Sequence, residues 1–213
     1  MGHSDRGHSP GSQLAKSDGR PSELAIGDHG LVLRTLDDFG RFATIIHSSG
    51  LSPKGMESVD SIIIALQLGA EVGMGPMASL QNIAVVNGRP SIWGDAMPAV
   101  CMRSPSWDPG AFSEDIEGQG DNMVAHCRVR RRGGQPVDRS FSVADAKKAG
   151  LWGKAGPWTQ YPKRMLQMRA RSWALRDCFP DALKGMYAAE EAQDFIDIEP
   201  PPTRPVIQPP KRI

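Results

Sequence analysis

Between Pro162 and Cys178 the sequence sets Lys163, Arg164, Arg169, Arg171 and Arg176 around a single indole, Trp173. A guanidinium can bond a phosphate through two parallel N–H groups, and an indole offers a flat π face to a nucleobase. If this stretch is one helix, 100° per residue puts Arg169, Trp173 and Arg176 on one flank, Arg164 and Arg171 on the other, and Lys163 farther round. Such an arrangement suits a sugar–phosphate backbone held without reading its bases. The alternative is a solvated outer face, because Lys and Arg are also good helix formers.

The helix that carries these residues is legible. Pro162 fits a first turn, where its missing N–H would be unpaired anyway. Met165, Met168, Ser172, Leu175 and Phe179 then recur on one stripe, which predicts a half-buried helix from Pro162 to about Cys178. A second basic element precedes it: strict alternation puts Met123, Ala125, Cys127 and Val129 on one face of a strand and Val124, His126, Arg128 and Arg130 on the other. In the loop between these elements, Trp152, Lys154 and Trp158 either grip a ligand or anchor the loop on the core.

Charge is segregated along the chain. Net charge is +1 over 213 residues, yet residues 1–122 carry net −7, residues 123–186 net +10 and residues 187–213 net −2. An anionic partner should bind the basic segment in a salt-dependent way. In an assembly, the acidic portion of one subunit would lie against the basic portion of the next. Cys101, Cys127 and Cys178 show neither a CxxC nor zinc-ligand spacing, so they read as core thiols and the expected compartment is the reducing cytoplasm. No apolar run of 18 residues occurs, and the polar N-terminus does not resemble a signal peptide.

The remaining pattern predicts an α+β domain in which an antiparallel sheet, a hairpin plus a three-stranded meander, packs with helices. Residues 1–30 read as a disordered arm, 31–190 as the core domain and 191–213 as an acidic, Pro-rich flexible tail. Thr35 and Asp38 form a capping box ahead of a helix with Leu36, Phe39, Ala43 and Ile46 on its apolar face. The next helix, Ser58 to about Val72, presents Val59, Ile62, Ile63, Leu66 and Ala70. Asn87-Gly88 between two β-prone runs marks a tight hairpin, and Pro90 makes its returning strand an expected edge. Asp95 then caps a short helix.

Other chemistries fit poorly. Around Gly150-Leu-Trp-Gly-Lys-Ala155 the first glycine of a phosphate-binding loop would fall at Lys148, and Ala155 replaces the magnesium-binding hydroxyl. Glu114, Asp115, Glu117 and Asp121 form an acidic cluster of the kind a metal nuclease needs, but alternation sends Asp115 and Glu117 to the face opposite Glu114.

Two blocks carry a family resemblance. Residues 73–95, GMGPMASLQNIAVVNGRPSIWGD, and residues 150–170, GLWGKAGPWTQYPKRMLQMRA, closely resemble phage recombinases of the RecT type, and the second is also similar to the related Red-beta proteins. The resemblance spans residues 35–191. It implies an ATP-independent protein, not an enzyme, that coats single-stranded DNA, assembles into rings or helical filaments and anneals complementary strands in phage recombination. It also implies a core of antiparallel sheet and helices akin to eukaryotic annealing proteins. Lys163, Arg164, Arg169 and Arg176 match positions that line the DNA groove in Red-beta. Arg128, Arg130, Lys154, Arg171 and Trp173 join them on charge and geometry alone. Expected partners are single-stranded DNA and the annealed duplex intermediate, further copies of the chain, a phage exonuclease and the single-strand-binding protein of a bacterial host. No cofactor is expected beyond a divalent cation such as Mg²⁺ that modulates DNA binding. The alternatives are a single-strand-binding module that does not anneal, and a metal-dependent nuclease.

Overall fold

Residues 25–27 and 30–194 are described by the computed structural model. Of the arm expected over residues 1–30 and the tail expected over residues 191–213, residues 1–24, 28, 29 and 195–213 lie outside the described residues; the remainder corrects those limits, because residues 25–27 form a strand and Glu191 and Ala192 are buried in the last helix. An antiparallel ribbon of β1 (Ala25–Gly27) and β2 (Gly30–Val32) comes first. It leads into α1 (Leu36–Ser48), which opens on the expected capping box: the Thr35 hydroxyl accepts from the Asp38 N–H at 3.2 Å, and the Asp38 carboxylate accepts from the Thr35 N–H at 3.0 Å. A third bond, from the Arg34 N–H, completes the satisfaction of this buried carboxylate.

The apolar faces of the first helices are turned from those expected. In α1 the buried residues are Phe42, Ala43 and Ile46, Phe39 is partly buried, and Leu36 is 77% exposed. In α2 (Val59–Glu71) Ile62 and Leu66 are buried as expected, but Ala65 and Gly69 join them and Ala70 faces out. The cause is close approach of α3 (Pro76–Asn82): a Cβ on Gly69 would collide with the Ser79 side chain. A glycine therefore sits where two helices nearly touch.

After α3 comes the hairpin of β3 (Ile83–Val86) and β4 (Arg89–Ile92). Its turn residues Asn87 and Gly88 have φ of 50° and 69°, the left-handed pair that matches strand twist. Then follow α4 (Ala96–Met102) and the meander β5 (Ser113–Glu117), β6 (Val124–Arg130) and β7 (Pro136–Ser142), antiparallel throughout. Alternation on β6 holds, with Met123, Ala125, Cys127 and Val129 buried while the other face is open.

The chain closes through α5 (Val143–Lys148), α6 (Pro157–Gln160), α7 (Pro162–Cys178), α8 (Pro180–Leu183), β8 (Tyr187–Ala188) and α9 (Ala189–Ala192). β8 corrects one expectation, because it pairs with β4 in parallel at Ser91 and Ile92 and makes β4 central. Pro90 tolerates this because β8 joins only beyond it, so the missing N–H interrupts no ladder bond. The architecture is α+β, small sheets packed with helices. Among the described residues no single helix is long and apolar enough to cross a membrane.

Helix α7 is the centre of the core. It lies against the inner face of the meander and meets α4, α6, α8, β8 and α9. Met165, Met168, Ser172, Leu175 and Phe179 are buried as their spacing predicts. Leu166, Ala170, Ala174 and Cys178 are buried as well, so the helix is enclosed rather than half-buried.

Candidate nucleic-acid interface

Enclosure changes the surroundings of the arginines on α7. Arg169 and Arg171 are only 8% and 6% exposed. A buried guanidinium needs counter-charge and acceptors, and both are supplied by residues distant in sequence. Arg171 donates to the Glu114 carboxylate from Nε and Nη2, each at 2.6 Å, and from Nη1 to Asp95 at 3.0 Å and to the Gly94 carbonyl at 3.2 Å. Glu114 sits there because it occupies the inner face of β5, opposite Cys127. Asp95 also accepts from Arg164, which explains why its carboxylate does not cap α4.

The opposite flank of α7 converges on two carboxylates from the end of the described chain. Asp194 accepts from Arg169 Nη2 at 2.7 Å, Lys154 Nζ at 3.0 Å and the Trp158 indole N–H at 3.0 Å. Glu191 accepts from the Ser172 hydroxyl at 2.7 Å, Arg176 Nη1 at 2.8 Å and the Trp173 indole N–H at 3.4 Å, with Arg169 at 3.6 Å. Arg176 also stacks on Tyr187, 4.0 Å from the ring centroid. Trp158 is buried and Trp152 partly buried against the core, so both anchor the loop. Trp173 is partly buried, edge-on to Phe141 at 5.2 Å.

Arg128 and Arg130 point away from this cluster. They lie on the outer face of β6, paired with Asp138 at 2.6 Å and Asp108 at 2.7 Å, while α7 packs on the inner face. The strand and helix cations are thus separated by the sheet. Asp115 and Glu117 share the outer face with His126, their ligand atoms within 4.8 Å of one another, whereas Glu114 turns inward. The acidic cluster is split between the two faces, as alternation predicts.

Ten of the fourteen Lys and Arg residues of the basic segment make ion pairs. Six of their nine acidic partners come from outside that segment: Asp95, Asp108, Glu114, Asp121, Glu191 and Asp194. The acidic portions neutralise the basic one within a single chain. Among the described residues of this segment Lys148, Lys163 and Lys184 are exposed and make no ion pair, and Arg132, also exposed and outside any ion pair, donates to the Trp107 carbonyl at 3.0 Å. Lys148 borders a pocket of about 470 Å³ whose wall also includes Phe141, Leu151, Arg169, Trp173 and Asp194. It combines cations with aromatic surface, the two features base and phosphate contacts require.

Of the expected residues, the fold gathers Lys154, Arg169, Trp173 and Arg176 around Glu191 and Asp194, and Arg164 and Arg171 around Asp95. It leaves Lys163 exposed at the start of α7, and Arg128 and Arg130 across the sheet. Lys148, Glu114, Glu191 and Asp194 are the residues that local reading misses. Only the i, i+2 alternation on β5 carries a signal for one of them, placing Glu114 inward. A family model, that of the RecT family, matches residues 58–203, from α2 to past α9. No curated protein and no solved structure matches the chain.

Proposed function

The chain belongs to the RecT family, and from this premise we propose that it binds single-stranded DNA without reading base sequence and anneals complementary strands in phage-type recombination, without ATP. Family membership over most of the core is the observation that carries this reading. The physical requirements agree. Sequence-independent annealing needs phosphate neutralisation along a strand and stacking surfaces, and leaves base edges free to pair.

In this reading the accessible cations Lys154, Lys163, Arg164 and Arg176 contact phosphates, and Trp173 stacks on a base at the mouth of its pocket. Arg128 and Arg130 extend the electrostatic footprint to the outer face of the sheet. Arg171 acts from beneath, fixing α7 so that its exposed neighbours are in place, and Arg169 contributes a guanidinium at the wall of the pocket beside Trp173. The protein works as a ring or filament of copies in the bacterial cytoplasm, with a phage exonuclease and the host single-strand-binding protein as partners. A divalent cation such as Mg²⁺ tunes DNA binding, and no catalysis is involved.

Mixing two labelled complementary oligonucleotides with the protein, without nucleotide, should accelerate duplex formation over the protein-free rate. Coating of single strands with no acceleration would replace this reading with a non-annealing binding module. The Asp115, Glu117 and His126 group on the outer face of the meander keeps a metal nuclease as the second reading, and shortening of the oligonucleotides in Mg²⁺ would favour it.

A further inference from the structure

The Asp194 carboxylate is held by three donors from three parts of the chain: Arg169 of α7, Lys154 of the preceding loop and the Trp158 indole of α6, at 2.7, 3.0 and 3.0 Å. A guanidinium, an ammonium and an indole N–H converging on one point form an anion site. Their geometry does not depend on which anion fills it. Arg169 is enclosed, and its Nε has no hydrogen-bond partner among the described residues. The same arginine lines the pocket shared by Trp173, Phe141 and Lys148. Asp194 is tethered lightly by comparison, in the turn after α9, where its N–H bonds the Glu191 carbonyl at 3.1 Å.

We propose that this is a phosphodiester subsite occupied, in the free protein, by the chain's own carboxylate. When single-stranded DNA arrives, one phosphate replaces Asp194 on Arg169, Lys154 and the Trp158 N–H, and the adjoining base enters the pocket beside Trp173. Asp194 thereby sets the affinity for DNA, because each binding event must displace it. The arrangement also accounts for a basic cluster that carries its own counter-ion: an unfilled site with a guanidinium as enclosed as Arg169 would be costly to fold.

This inference rests on the reading that the chain binds single-stranded DNA, and the test separates the two. Wild type, Asp194→Asn and Asp177→Asn are titrated with a fluorescent oligonucleotide across a salt series. Asp194→Asn keeps an acceptor for the indole and removes the competing charge. It should bind about tenfold more tightly, with the slope of log K against log salt steeper by about 0.7, the increment for one single-strand phosphate. Asp177, exposed and paired with Arg139 at 2.7 Å, controls for bulk charge, and its amide variant should shift binding less than about twofold. If wild type binds and Asp194→Asn binds no more tightly, or if both amides act alike, the subsite is refuted. If wild type binds no DNA, the functional reading fails instead. Should Asp194→Asn not fold, Asp194→Ser, which keeps a short acceptor and removes the same charge, decides: several-fold tighter binding with a steeper slope supports the subsite, and unchanged binding overturns it.

Discussion

Replacing Arg171 separates a structural arginine from a DNA-binding one. Its side chain is 8% exposed and that of Glu114 12%, and the two share bonds of 2.6 Å from Nε and Nη2. Asp95, at 71% exposure, contributes little because water screens it. Arg171→Ala strands the Glu114 carboxylate, left with only Gln167 Nε2 at 3.2 Å, and removes the Gly94 carbonyl's donor from Arg171. Breaking a buried pair from one side costs about 3–5 kcal/mol. For a chain of this size each kcal/mol lowers Tm by about 2–4 °C, so the variant should melt about 6–20 °C below wild type. Removing both charges with Glu114→Gln and Arg171→Met together should recover more than half of that loss, since an apolar or neutral pair needs no counter-charge. Thermal unfolding followed by circular dichroism reads the melting points, and the salt series reads DNA binding. If Arg171→Ala melts within about 2 °C of wild type while its salt slope becomes shallower by about 0.7, the guanidinium is a phosphate contact and the buried pair carries no stability.

Two further outcomes follow from buried and paired groups. Burial pushes the thiols of Cys101 and Cys127 up to about 12 and raises that of Cys178, so at about pH 8 none should react with a thiol reagent until denaturant is added; fast native labelling of either of the first two would contradict the packing around α7. Arg131, bonded to both oxygens of Asp181, holds that carboxyl down at about 2. A depressed pKa contributes stability above the unfolded value of about 3.9 that is lost as pH falls toward about 2. Both partners are partly exposed, so the effect is small and salt-sensitive. The melting difference between wild type and Asp181→Asn should shrink across that window, and a difference constant with pH would rule out the linkage.

Local rules made much of the fold readable. The Thr35 capping box, the Asn87-Gly88 turn, the alternation on β6 and the Pro162 start of α7 each depend on residues within a few positions of one another, and each is present. The misreadings arise where a distant element intervenes. Gly69 turns α2 because α3 presses on it, and β4 ceases to be an edge because β8 returns from nearly 100 residues downstream. Neither contact leaves a trace in local periodicity.

The same limit explains the site, and it bears on how the protein meets DNA. A helical wheel places Arg169 and Arg171 on opposite flanks of a stripe, and both flanks are in fact walled: one by the inner face of β5, the other by the turn after α9. A local count of +10 over residues 123–186 suggests a strongly cationic surface, yet acids from both ends of the chain occupy most of those cations. Among the described residues of that segment, the exposed cations outside ion pairs are Lys148 at the pocket, Lys163 at the head of α7, Lys184 and Arg132. Three lysines and one arginine cannot by themselves supply the strong salt dependence expected of a protein that coats a strand. On the proposed function a phosphate backbone competes with the chain's own carboxylates, and the pairs Arg164 with Asp95 and Lys154 with Asp194 are where exchange costs least, because each has a half-exposed cation. The buried Arg171–Glu114 pair is where exchange would cost most, so on the same reading it stays closed while the rim of the site opens.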